Sequence, residues 1–210
     1  PTYDIFDEYR YFEPNREFSC ITYKGVKIAL TICEDIWNLV PDPLYISSPM
    51  DVLITQEPDI MINISASPFN YDQHKTRPAI LQANTIQYNI PLVYVNQVGA
   101  QTELLFDGNS CVLDKNGNTV AGCMAFGEDI CIVDFNPENK SIKSDQAYSK
   151  NDNSKTALIH DALVMGIKDY FEKMGFTKAI LGLSGGIDSA VTIALAAEAL
   201  GKENVYAVLL

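Results

Sequence analysis

The last 33 residues, KAILGLSGGIDSAVTIALAAEALGKENVYAVLL, constrain the fold more than any other stretch. KAILGL reads as a strand, Ser184-Gly185-Gly186 as a turn, and DSAVTIALAAEAL as a helix beginning near Asp188-Ser189 and closed by Gly201. NVYAVLL reads as the next strand. Strand, glycine turn, helix, strand is the opening of a doubly wound parallel sheet. Glycines let backbone approach phosphate oxygens closely, and turn N–H groups and a helix N-terminus supply positive potential. The Ser184 and Ser189 hydroxyls add donors. Asp188 is an acid at an anion site, which makes chemical sense if it helps hold Mg²⁺. The bland alternative is a strand–helix turn with Asp188 as the N-cap. The pattern is neither GxxxxGK[ST] nor GxGxxG.

Upstream, ALIHDALVMGIKDYFEKMG spaces Leu158, Ala162, Met165, Tyr170 and Met174 at near-helical intervals and ends at Gly175. A second unit therefore starts near Thr156. Before it, residues 136–155 are polar, rich in Asn, Ser, Lys and Asp, and read as a linker or surface crossing. Residues 1–135 form a first unit. Two β-rich runs flank a turn at Lys24-Gly25, and DIMINIS (59–65) and PLVYVN (91–96) are further strands. Between the last two, Ala79, Ala83, Ile86 and Ile90 recur at helical spacing, predicting an amphipathic helix that ends near Asn89. Strand–helix–strand implies a parallel or mixed sheet covered by a helix. SCVLDKNGNTVAG predicts a hairpin across 115–118 and DICIVDF (129–135) another strand.

Cys33 ends the apolar run IALTIC and is followed by Glu34-Asp35 and Trp37. A buried, inert cysteine is the ordinary reading. Against it, Cys33 stands at the C-terminal end of a strand, where α/β proteins place ligands, the chain turns acidic at once, and Trp37 is placed to form an aromatic wall. A nucleophilic thiol needs a base. The two histidines are His74, early in the 71–89 helix, and His160, beyond the linker on a polar helix face. The alternative is a carboxylate base with a lysine. Asp7, Glu8, Glu103 and Asp107 read as solvated or turn carboxylates.

Composition narrows the classes. At 47% apolar residues a chain of 210 can build a real core. A net charge of −12 argues against nucleic acid or an anionic membrane as partner. Five cysteines without CxxC spacing support neither a disulfide framework nor structural zinc, and point to a reducing cytoplasm. No apolar run reaches about 18 residues, and no signal peptide is evident. The opening PTYDIFDEYRYF, without an initiator Met, reads as mid-protein sequence, and both ends are expected to be cuts.

TICEDIWN, MINISASPFN, PLVYVNQVG and ELLFDGNS, in that order, resemble the glutamine amidase domain of the nitrilase (carbon–nitrogen hydrolase) superfamily. The resemblance implies that Cys33 attacks the glutamine amide, that the Glu34 N–H helps hold the oxyanion, and that the Glu34 carboxylate and Ser67, in preference to Ser65, touch the amino-acid end. Spacing alone makes Ser67 a turn residue before Pro68. Tyr3 would line the pocket. The family's catalytic lysine would fall three positions before residue 1, and its general-base glutamate farther upstream. SGGIDS resembles the loop of the ATP pyrophosphatase (PP-loop) family, which implies ATP and Mg²⁺ at Ser184, Gly185, Gly186, Ile187, Asp188 and Ser189. The pairing in this order resembles the glutamine-dependent NAD⁺ synthetases. It implies ammonia from glutamine, adenylation of nicotinic acid adenine dinucleotide, a cytoplasmic homo-oligomer and small-molecule substrates. The fold implied is the C-terminal part of a nitrilase-like α-β-β-α sandwich (1–135), the linker, and the first βαβ unit of an adenine-nucleotide-hydrolase-like sheet (156–210). Two other readings stay open: a stand-alone amidase, and a chain that binds nucleotide or a partner without turnover.

Overall fold

The computed structural model describes residues 2–3, 6–39, 48–146 and 154–210, and at positions 2, 3, 6, 9, 73 and 74 the backbone alone. Strands β1 (Thr2–Tyr3) and β2 (Phe6–Asp7) form a short antiparallel pair. The chain then runs through β3 (Ile21–Tyr23), β4 (Val26–Ile32), α1 (Pro49–Leu53), β5 (Ile60–Ser65), α2 (Gln73–Tyr88) and β6 (Leu92–Asn96). A hairpin, β7 (Val98–Gln101) and β8 (Leu104–Asp107), precedes β9 (Cys111–Leu113), β10 (Thr119–Gly122), β11 (Asp134–Asn136) and β12 (Ser141–Lys143). The second unit comprises α3 (Lys155–Met174), β13 (Ala179–Leu183), α4 (Ile187–Leu200) and β14 (Val205–Leu209).

Six strands make one mixed sheet in the order β10-β9-β6-β5-β4-β3. Its centre, β4-β5-β6, is parallel, and its flanking pairs are antiparallel. Alternation along the parallel strands splits the side chains between two faces. Ala29, Met61, Leu92 and Tyr94 enter the main core with Leu81 and Tyr88 of α2 and Met50 and Leu53 of α1. On the opposite face Ile60 and Val112 pack with Ile142, with Val133 and Phe135 against them. Farther along that face, Leu30, Ile32, Ile64 and Val95 are exposed.

Three sequence expectations change. The buried face of α2 is Arg77, Ile80, Leu81, Asn84, Thr85 and Tyr88, whereas Ala79 and Ile86, expected to face inward, are exposed. The buried stripe carries polar side chains with specific partners, which an apolar pattern does not register. The expected strand 129–135 shrinks to Asp134–Asn136, paired with Ser141–Lys143. Those last three residues lie within the expected linker, and Ile142 is buried. The early part of 136–155 is thus packed on the first unit. Residues 147–153 lie outside the described residues.

In the second unit Ser154 caps α3, its hydroxyl accepting from the Ala157 N–H at 3.3 Å, and Gly175 ends the helix in left-handed geometry. Strands β13 and β14 pair in parallel, Ala179 opposite Val205 through Leu183 opposite Leu209. Helix α4 crosses between them and packs on α3. This is the βαβ unit expected from the sequence.

Candidate functional site

The thiol site is built on the turn that follows β4. Cys33 takes φ +44°, a left-handed backbone that costs a non-glycine residue about 1–2 kcal/mol. Three side chains pin that turn. Asn63 of β5 donates through Nδ2 to the Cys33 carbonyl oxygen (3.3 Å) and to Thr31 Oγ1 (3.0 Å). Asp35 Oδ2 accepts from the Ile32 N–H at 2.8 Å. Asn84 of α2 donates to the Ile36 carbonyl oxygen at 2.8 Å. Such over-determination is what a strained backbone requires to persist.

The Cys33 thiol is half-buried and its pKa is raised. Burial is the largest cause, and the Glu34 carboxylate adds to it, with Glu8 acting in the same direction. The backbone N–H groups of Ala66 and Glu34 oppose the rise by favouring the thiolate. Those same N–H groups are preorganised donors of the type that stabilises an oxyanion. The Glu34 donor was expected, but the Ala66 donor was not, because it comes from the loop after β5, 33 positions along the chain.

Ser65 and Ser67 are both buried. Ser65 donates to Asn63 Oδ1 at 2.6 Å, so it supports the clasp on Cys33. Ser67 donates its N–H to Asn96 Oδ1 (2.9 Å), and its hydroxyl accepts from Arg77 Nη2 (3.3 Å). Arg77 Nη1 meets both carboxylate oxygens of Asp107, at 3.0 and 2.9 Å. Asp107 also accepts from Asn109 Nδ2 at 2.8 Å. A buried polar cluster of Arg77, Asp107 and Asn96, with exposed Asn109 at its edge, therefore holds the loop containing Ala66 and Ser67. Asp107 is a buried ion-pair partner, not the solvated turn carboxylate expected from LLFDGNS. Trp37, expected as an aromatic wall, is half-buried and packs against the main core. Tyr3 lies in β1, with its side chain outside the described residues, as is that of His74.

The second site is the turn between β13 and α4. Gly185 takes φ +80°, and a Cβ there would meet nothing within 4 Å. Ser189 Oγ donates to the Gly186 carbonyl oxygen at 3.0 Å and lies 3.3 Å from Ser184 Oγ. The loop is open to solvent, with Ile187 exposed. The N-cap of α4 is Gly186, with no side-chain cap bond, so Asp188 is the second helical residue rather than the cap. The first-turn N–H groups are left to face outward, the arrangement that receives phosphate. Asp188 is exposed beside them, and among the described residues no group of three His, Cys, Asp or Glu is placed to hold a metal. All five cysteines are free.

A strained cysteine at the end of a parallel strand of an α/β sheet, with two backbone N–H groups beside it, is an arrangement that suits nucleophilic thiol chemistry. Residues 1–141 match the carbon–nitrogen hydrolase family model, and this chain belongs to that family. Residues 159–210 match the NAD synthase model. The glutamine-dependent NAD(+) synthetase of Synechocystis sp. is 40% identical over 213 residues, covering all of this chain and 38% of that protein. The synthetase of Acinetobacter baylyi is 36% identical over all of this chain and 37% of its own length. The chain thus spans well under half the length of these relatives. Among solved structures, the glutamine-dependent NAD⁺ synthetase of Acinetobacter baumannii, in complex with ADP, superposes with a TM-score of 0.89 at 37% identity. It covers 100% of this chain and 38% of that one. A carbon–nitrogen hydrolase from Helicobacter pylori shares the fold over 59% of this chain and 45% of that one, with a TM-score of 0.50 at 20% identity. No helix among the described residues is long and apolar enough to cross a membrane.

Proposed function

We propose that this chain is the domain junction of a glutamine-dependent NAD⁺ synthetase, with residues 1–135 in the amidase unit and 156–210 opening the synthetase unit. The observation that carries the reading is the pairing, in one chain, of the pinned Cys33 turn with the SGGIDS loop at a strand–helix junction.

In this reading Cys33 Sγ attacks the side-chain amide carbon of glutamine. The carbonyl oxygen becomes an oxyanion that the Glu34 and Ala66 N–H groups receive. Collapse expels ammonia and leaves a glutamyl thioester, which water hydrolyses. By the family resemblance, the Glu34 carboxylate and Ser67 contact the amino-acid end of the substrate and Tyr3 belongs to the pocket lining. The raised pKa of Cys33 keeps it a thiol at neutral pH, and the charges acting most on it are carboxylates. Its activation therefore calls for the base and cation that the family resemblance places upstream, a Glu and a Lys.

At the second site the backbone of Ser184–Gly186 and the start of α4 receive the pyrophosphate that leaves when ATP adenylates the nicotinate carboxylate of nicotinic acid adenine dinucleotide. Ammonia then displaces AMP to give NAD⁺. The open cradle at Gly185 fits phosphate, and Asp188 fits Mg²⁺ only as one ligand shared with phosphate oxygens and water. Bound there, Mg²⁺ would offset phosphate charge. We place the enzyme in the cytoplasm, as a homo-oligomer acting on small molecules, without nucleic-acid or membrane partners. The −12 charge supports the last point.

The test is Cys33→Ala in the full-length enzyme, which should lose glutamine-driven NAD⁺ synthesis and keep ammonia-driven synthesis. Loss of both would assign Cys33 to the fold or to the ligase site. A second reading, in which residues 1–210 alone bind nucleotide without turnover, follows from the family's Glu and Lys not being among these residues. Ammonia release from glutamine by the 210-residue chain would overturn it.

A further inference from the structure

Helix α3 holds the amidase unit by both polar atoms of a single backbone residue. The Ala100 N–H of β7 donates to Asp169 Oδ2 at 2.7 Å, and Lys173 Nζ donates to the Ala100 carbonyl oxygen. Asp169 and Lys173 are four apart, so they share one helix face. The free edge of β7 is thus closed by a helix rather than by another strand, which satisfies groups that would otherwise stay unpaired.

The contact is built from both sides. A Cβ at Gly99, where φ is +115°, would stand 2.9 Å from Asp169 Oδ2. A Cβ at Gly166 of α3 would stand 3.0 Å from Leu105 Cδ2 of β8. Only glycine at each position allows this approach without displacement.

The clamped hairpin ends inside the thiol site's support. Val98 of β7 pairs with Asp107 of β8, and Asp107 holds Arg77. Arg77 holds Ser67, next to Ala66, whose N–H faces Cys33. A shift of β8 along α3 would move Asp107, and with it the loop that carries one of the two donors.

We infer that Asp169 and Lys173 are positioning residues of the amidase site, so that α3, most of which lies within the segment matching NAD synthase, is a working part of the hydrolase unit. The inference rests on Cys33 being the glutamine nucleophile. It gives the β7 edge a second role beyond covering unpaired backbone groups, because the same bonds set where Asp107 stands.

The test uses the full-length enzyme with Asp169→Ala, Asp169→Asn, Lys173→Met and, as control, Lys168→Met, whose parent side chain lies 4.0 Å from Glu172 on the same helix. Two quantities are read: kcat/KM for glutamine hydrolysis, and the rate of Cys33 alkylation by iodoacetamide at fixed pH. Asp169→Ala should lower kcat/KM about tenfold to a hundredfold, the scale of a misplacement near 1 Å, and should change the alkylation rate. Asp169→Asn should recover most of both, since its amide oxygen still accepts from Ala100. Lys173→Met should fall between, and Lys168→Met should match wild type. Changes within twofold for both Asp169→Ala and Lys173→Met overturn the inference, as does failure of Asp169→Asn to recover. Should Asp169→Ala not fold, Lys173→Met carries the test on the same criteria. Glutamine hydrolysis surviving in Cys33→Ala would sink the nucleophile reading instead, and the alkylation rates would still judge the clamp.

Discussion

Arg77 and Asp107, 30 positions apart, form an ion pair 2.9 Å long in which each side chain is 8% exposed. Removing one partner strands the other charge in a low-dielectric interior, which typically costs about 3–5 kcal/mol. Arg77→Met and Asp107→Leu should each lower the denaturant midpoint accordingly. The double variant Arg77→Met/Asp107→Leu should cost less than the sum, because neither charge is left behind. Urea unfolding of the four proteins measures this, and additive losses would mean the pair is not coupled.

Cys33 should behave as a sluggish thiol in the 210-residue chain. Its pKa lies above the ordinary value, first through burial and then through Glu34. The thiolate fraction, and so the alkylation rate, should keep rising with pH beyond the usual thiol range near 8.5. Glu34→Gln should shift that profile to lower pH. A profile centred below the ordinary thiol value would contradict the electrostatic account.

The two loop glycines should separate fold from chemistry. Gly185 has φ +80°, so Gly185→Ala strains the backbone by about 1–2 kcal/mol even though its Cβ would meet nothing. Gly186 lies at φ −81°, where a Cβ would be 3.5 Å from Ser184 Oγ, an ordinary contact. Gly186→Ala should therefore leave thermal stability close to wild type while lowering ATP-dependent turnover in the full-length enzyme, because in the proposed function phosphate is received by this backbone. Unchanged turnover would remove the loop from the ATP site.

His160 links α3 to α4. Its Nδ1 lies 3.0 Å from Asp161 Oδ1 and its Nε2 3.0 Å from Glu198 Oε2. The bond to Asp161 and then that to Glu198 raise its pKa. A raised pKa in the fold means that stabilisation is fully present below the unfolded value, near 6.5, and is lost as pH rises through the folded value. The imidazole resonances should titrate above that ordinary value, and Glu198→Gln should bring the midpoint down. Amide exchange in α4, corrected for its intrinsic pH dependence, should quicken over the same window. A midpoint unmoved by Glu198→Gln would show that Asp161 alone sets it.

Much of the local architecture was legible from the order of residues. Short apolar and β-rich runs placed β4, β5 and β6, helical spacing and Gly175 placed α3, and the glycines of SGGIDS placed the turn before α4. The site's supports were not legible. Arg77, Asn84 and Thr85 face inward on α2, and a search for apolar periodicity passes over them. Asp107 looks like a turn residue until Arg77 is brought against it. Asp169 and Lys173 look like surface charges on an amphipathic helix, yet they fasten to Ala100, about 70 positions away.

The sequence by itself determined the parallel strands and main helices, the place of Cys33 at a strand's end and the phosphate-type loop, because each follows from backbone sterics and short-range patterning. Only the tertiary structure decided which side chains hold Cys33 in its strained turn, which donors face its sulfur, and which helix closes the β7 edge. Apart from the local bonds of Glu34 and Asp35, those contacts join residues 30 to 73 positions apart. They exist because parallel strands and their crossovers bring distant segments side by side, and local sequence carries no record of that neighbour.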